Sequence, residues 1–179
     1  GFDAALLTLI DTGKPAPRNV HEVGCGEGRL SRRLRDHLGV PIRASDFSRE
    51  LVAENRARAE PGIEYIPRSV YDLEPVEDRA DLIVCCEVLE HVERPEDALA
   101  ALRRLDAPAY IISVPREPLW RLLNIIRGKY IGALGNTPGH LNHWSRGSFL
   151  AFLARGGFQV ERCLQPLPWT MVRGRFVPR

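Results

Sequence analysis

Val20-His21-Glu22-Val23-Gly24-Cys25-Gly26-Glu27-Gly28 is the stretch on which the reading of this sequence turns. Residues 19–23 read as a strand, the three glycines as a turn, and Leu30, Leu34 and Leu38 beyond them repeat at helical spacing. Glycine permits positive φ and lets a ligand come close to the backbone, while the N-terminus of the next helix presents free N–H groups. Asp46 lies 18 residues after Gly28, at the predicted end of a second strand. In an open α/β sheet that position puts a carboxylate beside the turn, within reach of ribose hydroxyls. A tight turn and a nearby helix-start acid would explain either piece alone. Strand, turn, helix, strand and terminal Asp in that order favour a nucleotide-type cofactor.

Outward from this unit the pattern repeats. Further strands are expected at 40–45, 63–66, 81–86 and 109–114, the fourth of these five being the continuous apolar run that a doubly covered parallel sheet uses. Ala4, Leu6, Leu7 and Ile10 form a short amphipathic helix, Ser48 is a candidate cap for the helix after Asp46, and Pro95-Glu96-Asp97 opens another. Strands alternating with helices imply right-handed crossovers and an open parallel sheet. After Pro115 the pattern loosens: a helix at 117–126, a glycine-rich loop at 128–139 and a helix at 149–153 ended by Gly156-Gly157. Two last strands, 158–163 and 169–173, suit an antiparallel pair. The expectation is one domain over 1–179 with a cap at about 115–144.

Composition agrees with one globular unit: 179 residues, 44% hydrophobic and 27% charged. A net charge of +2 argues against an obligate nucleic-acid coat. Cys25, Cys85, Cys86 and Cys163 form neither a CxxC pair nor a disulfide framework, so reduced cytoplasm is the expected setting. No apolar stretch approaches the roughly 18 residues of a membrane span, and no secretory pattern opens the chain. Gly1-Phe2 already stands inside a helical pattern, as in a chain trimmed at its N-terminus.

Two cofactor classes compete for the glycine turn. A dinucleotide fingerprint wants a small residue where Arg29 stands. Glu22, at the strand end, would repel a pyrophosphate and attract an ammonium group, which favours a cationic amino-acid moiety.

Glu22-Val-Gly-Cys-Gly-Glu-Gly28, Ser45-Asp46-Phe47-Ser48 and Glu87-Val-Leu-Glu-His91 together resemble a class I S-adenosylmethionine-dependent methyltransferase, over roughly residues 20–114. The resemblance implies a Rossmann-like, doubly wound, mostly parallel α/β sheet of seven strands, order 3-2-1-4-5-7-6, with the last strand antiparallel. It implies that Gly24 and Gly26 lie against the methionine part of the cofactor and that Glu22 anchors its amino group through water or backbone. Asp46 would bind the ribose, Phe47 would pack on the adenine, and the Cys86 carbonyl would face the amino group. Ser69-Val70 stands where many relatives have Gly-Asp, so Ser69 or a backbone carbonyl must take the adenine contact. Cys86 itself, in an apolar strand, is expected to be chemically inert.

The acceptor is constrained by exclusion. The motif of nucleobase amino-methyltransferases is replaced here by Cys86-Glu87-Val88-Leu89, and the sequence has no Pro-Cys pair for cytosine C5 chemistry. The segment resembles that of quinone-pathway O-methyltransferases, small-RNA 2′-O-methyltransferases and many small-molecule enzymes. O- or N-methylation of a small metabolite is expected. An RNA 2′-O-methyltransferase, an NAD(P)-binding oxidoreductase and a non-catalytic cofactor-binding module are the alternatives. The arginines from Arg29 to Arg35 lie opposite Leu30, Leu34 and Leu38, as on a solvated helix face, and no aromatics are interleaved to stack bases. Trp120, Tyr130, Trp144 and Trp169 either wall an acceptor pocket or pack a cap.

Glu87, Glu90 and His91 stand at i, i+3 and i+4, so a helix there would set them on one face at the carboxyl end of the sheet. His140, four residues before Trp144, matches the further histidine of the small-RNA enzymes. These four residues are candidate ligands for a divalent metal. The favoured alternative has the acids starting a helix and His91 or His140 acting as general base, with no metal.

Overall fold

The computed structural model describes residues 1–120, 124 and 139–177. The helices are α1 (Phe2–Asp11), α2 (Arg29–Leu38), α3 (Arg49–Ala57), α4 (Pro95–Arg104) and α5 (Arg146–Arg155). The strands are β1 (Val20–Val23), β2 (Ile42–Asp46), β3 (Ile63–Pro67), β4 (Leu82–Cys86), β5 (Ala109–Pro115), β6 (Phe158–Leu164) and β7 (Trp169–Phe176). They form one sheet in the order β3-β2-β1-β4-β5-β7-β6. β1 to β5 pair in parallel, and β7 runs antiparallel to both β5 and β6. This is the sheet order that the family resemblance implies.

Local chemistry accounts for the boundaries. Ser48 accepts a hydrogen bond from Leu51 N and starts α3, Ser145 does the same for Ser148 N at α5, and Pro95 sits at the first turn of α4. Gly39 ends α2 in the left-handed conformation. β4 and β5 are buried at every residue, as strands covered on both faces must be. One face carries Leu6, Leu9 and Ile10 of α1 and Leu30 and Leu34 of α2 against Val20, Ile42, Val84 and Ile111. The other carries Ala98, Leu99 and Leu102 of α4 and Phe149 and Leu153 of α5 against Ile83, Cys85, Tyr110 and Ile112.

The arginines of α2 are tied up in ion pairs: Arg29 and Arg33 with Asp3, Arg32 with Glu60 and Arg35 with Asp36. Trp144 packs at 5.9 Å from Phe149 and 5.3 Å from Phe152, in the core rather than in a pocket wall. The ends of the expected cap meet, since Arg116 bridges to Trp144 and Glu117 N donates to Trp144 O at 2.8 Å. Most of the expected helix at 117–126, the expected loop at 128–139 and Tyr130 lie outside the described residues. No helix among the described residues is long and apolar enough to cross a membrane.

Candidate functional site

The carboxyl ends of β1, β2 and β4 open on a cavity of about 590 Å³. Its wall includes Gly24, Gly26, Asp46, Phe47, Ser69, Val70, Val88 and His91. Gly24 and Gly26 have φ of +80° and +52°, and a Cβ on Gly24 would run into the Val88 side chain. The turn therefore requires glycine at Gly24 for both its backbone and its roof.

Hydrogen bonds hold this turn to β2. Gly24 N and Cys25 N both donate to Ser45 O, at 2.8 and 2.9 Å, Gly28 N donates to Cys25 O, and Gly26 N donates to Asp46 Oδ2 at 2.8 Å. Those four amides are spent inside the protein, so the turn does not offer them to a pyrophosphate. Asp46 Oδ1 accepts from Ser48 N at 2.9 Å. Each Asp46 oxygen keeps a further lone pair for a hydroxyl donor. Phe47 beside it is 82% exposed, an aromatic face with no protein cover. Ser69 Oγ accepts from Tyr71 N at 3.3 Å, leaving its own O–H free to donate. Tyr71 carries the Arg94 guanidinium over its ring, 5.0 Å from the centroid.

Glu22 and Cys86 stand behind the cavity, and neither is in its wall. Glu22 is buried, accepts a hydrogen bond from Ser31 Oγ, and has its pKa pushed up to about 8 by burial. It is therefore largely uncharged near neutral pH, and the expected direct repulsion of a pyrophosphate does not operate from there. Burial likewise pushes the Cys86 thiol up, consistent with an inert strand cysteine.

Beyond β4 the expected helical face is replaced. Glu87 has φ +58° and Leu89–His91 is a single 3₁₀ turn, so Glu87 does not share a face with Glu90 and His91. Glu87 N extends the sheet ladder to Ser113 O, and the left-handed residue sends its carboxylate to β7, where Trp169 Nε1 donates to it at 2.8 Å. Glu90 turns inward and is buried, both carboxylate oxygens lack a hydrogen-bond partner among the described residues, and its pKa is pushed up to about 8 by burial.

The segment after the cap completes the cluster. Leu141 N and Asn142 N donate to Glu90 O, and Asn142 Nδ2 donates to Leu89 O and Val92 O. This stitching sets the His140 ring 4.8 Å from that of His91, and Trp120 stacks on His140 at 5.8 Å. Ligand atoms of Glu90, His91 and His140 all lie within 4.8 Å of one another, a donor set of the kind a divalent cation uses; Glu87 is not part of it. His91 Nδ1 lies 3.0 Å from Gly139 O, so Nδ1 carries the proton and Nε2 the lone pair. Burial first, then the neighbouring histidines, lower the His140 pKa to about 4.

Two contributors escaped the sequence reading. His21 is fully buried and bridges Asp78 O and Ser45 Oγ at 2.7 and 2.8 Å, bracing the residue whose carbonyl holds the glycine turn. Asn55 donates to Gly26 O at 2.8 Å from the buried face of α3. The signal for Asn55 was a polar residue three positions after Val52 on an apolar face. His21 had none, because period-two reading does not say which strand polar side chain finds partners.

A family model described as a methyltransferase domain matches residues 21–110. The ubiquinone biosynthesis O-methyltransferase of Xanthomonas axonopodis pv. citri (strain 306) is 31% identical over 159 residues, which is 83% of this chain and 65% of that protein. Its mitochondrial counterpart in Schizosaccharomyces pombe is 32% identical over 64% of this chain and 44% of its own length. The chain thus spans less than two thirds of these curated relatives. In fold it is similar to the methyltransferase domain of bacterial CtHen1, with a TM-score of 0.75, 19% identity, and coverage of 98% of this chain and 97% of that one. The family match runs from β1 into β5 and takes in both the glycine turn and Asp46. The chain belongs to the methyltransferase domain family, on the class I fold of S-adenosylmethionine-dependent enzymes.

Proposed function

We propose that the protein methylates a hydroxyl oxygen of a small acceptor, with S-adenosylmethionine as donor. The observation that carries this reading is the glycine turn, its amides spent internally, beside an Asp46 with lone pairs to spare and an uncovered Phe47. That arrangement suits a ribose, a purine and an uncharged backbone approach better than a diphosphate, which argues against the dinucleotide alternative. When bound, the cofactor supplies an electrophilic methyl on a sulfonium. Asp46 receives the ribose hydroxyls, Phe47 packs on the adenine, Ser69 and Val70 border it, and Gly24 and Gly26 line the methionine part. Glu22 and Cys86 act from behind, Glu22 through Ser31 and α2, Cys86 through its backbone.

His91 is the general base of this proposal. Its Nε2 lone pair accepts the acceptor's hydroxyl proton as the oxygen attacks. His140, held neutral, packs its ring against that of His91 with Trp120 stacked on it, and so positions the base. The relatives' name, O-methyltransferase, puts oxygen before nitrogen and a small metabolite before RNA. The paired arginines of α2 add nothing in favour of RNA. Free cysteines, three of them buried, fit a reducing compartment, the cytoplasm.

A second reading of the same reaction rests on Glu90, whose buried carboxylate oxygens have no partner among the described residues. With His91 and His140 it fits a divalent cation, which would lower the acceptor hydroxyl's pKa.

Calorimetric titration with S-adenosylmethionine, S-adenosylhomocysteine and NADH tests the cofactor, and a panel of phenols, sugars and amines tests the acceptor. Saturable binding of the first two and methyl transfer to a hydroxyl compound are expected. Tight NADH binding without a response to either sulfur compound overturns the reading.

A further inference from the structure

Arg173 sits in the middle of β7, opposite Ile111 of β5 and Arg162 of β6, and is only 9% exposed. Its guanidinium passes beneath the loop that joins α1 to β1, where a Cβ on Gly13 would collide with it. One of its five N–H donors reaches Leu9 O, at 3.2 Å, among the last carbonyls of α1. Among the described residues no carboxylate pairs with it. Glu161 is the acid whose charge it feels, and that acid is paired with Arg175 at 3.5 Å. Burial accordingly pushes the Arg173 pKa down. A buried cation without a counter-charge is costly, so such a group is retained where something offsets it.

Arg173 is one of the residues that line a cavity of about 300 Å³. Lys14, Arg18, Asp81, Leu82 and Ala109 are also in its wall. Asp81 is already engaged, accepting from both Arg18 N and Arg18 Nε at 3.0 Å. The wall thus holds three cations against one acid that is spent on one of them.

We propose that this cavity is an anion site for phosphate, either the free ion or the phosphate group of a small metabolite, with Arg173 as its buried anchor and the exposed Lys14 as its second cation. A doubly charged oxyanion matches the excess charge of the wall, and a planar guanidinium presents paired donors to it. Leu82 and Ala109 are the first residues of β4 and β5, so the site lies at the opposite end of the sheet from the glycine turn. An anion there would bridge β7, the end of α1 and the loop between α1 and β1.

The probe is inorganic phosphate, added at constant ionic strength against chloride and acetate, with binding followed by calorimetry and by thermal melting of the intact chain. Saturable one-to-one binding that raises the melting temperature is expected, with affinity for S-adenosylhomocysteine unchanged. Arg173→Gln is expected to weaken phosphate binding by at least about tenfold, the loss of charge-assisted bonds. Lys14→Glu, at an exposed position, tests the same site should Arg173→Gln not fold, and is also expected to weaken binding. Equal response to phosphate, acetate and chloride overturns the proposal, as does unchanged phosphate affinity in Lys14→Glu. Competition between phosphate and S-adenosylhomocysteine also overturns it, by moving the anion to the cofactor cavity.

Discussion

Asp46 Oδ2 accepts the Gly26 amide at 2.8 Å, so the acid at the end of β2 and the glycine turn after β1 form one hydrogen-bonded unit. Asp46 therefore shapes the turn besides facing the cavity.

Asp46→Ala is expected to weaken S-adenosylhomocysteine binding by about 1.5–3 kcal/mol, about 10- to 150-fold, from loss of hydrogen bonds to a charged acceptor. Calorimetric titration reads the change. An unchanged dissociation constant would place the ribose elsewhere.

Gly24→Ala is expected to cost about 1–3 kcal/mol of stability, since it forces a side chain into left-handed backbone and against Val88. Adding Val88→Ala should restore part of the loss in chemical denaturation. No recovery in the double variant would leave backbone strain as the whole cost.

His91→Ala is expected to lower kcat by about 10²- to 10⁴-fold, the range for a lost general base, with cofactor affinity retained. His140→Ala should fall less, because its depressed pKa makes it a poor proton acceptor. Enzyme prepared with chelator is expected to keep its activity. Activity that returns only with Mg²⁺, Mn²⁺ or Zn²⁺, and not in Glu90→Gln, would instead assign Glu90, His91 and His140 to a metal.

Glu22 gives a pH signature in stability rather than in rate. Burial raises its native pKa to about 8, above the ordinary carboxylate value of 4.5. The native state then holds a proton that the unfolded chain releases, so this contribution is complete below about pH 4.5 and is lost as pH rises toward 8. Glu22→Gln is expected to flatten the decline in denaturation free energy between pH 5 and 8. An equal slope in both proteins would show that Glu22 ionises normally.

Much of this was legible from local pattern. The ends of β1 and β4, the Ser48 cap and the Pro95 helix start each depend on residues within a turn or two, where periodicity and capping chemistry operate. β6 and β7 were legible as two short strand candidates because Gly156-Gly157 punctuates the chain before one and Pro168 before the other. The Glu87-to-His91 segment was misread as helical for a local reason too. The i, i+3, i+4 rule presumes repeating backbone angles, and one left-handed residue at Glu87 breaks the repeat.

By itself, the sequence determined the alternation of strands and helices, and so the parallel sheet with its glycine turn and Asp46 at one end. Those features follow from side-chain periodicity and from the handedness of the crossover. Tertiary structure decided where the remaining polar groups point. It aimed Glu22 at Ser31 instead of the cavity, gave Glu87 to Trp169, and brought His140 across 49 positions of chain to His91 through the bonds of Asn142 to the Leu89–Val92 turn. It also left Arg173 buried beneath Gly13, two residues far apart in the chain. Such meetings depend on which segments pack together once the sheet has formed, and no local repeat encodes them.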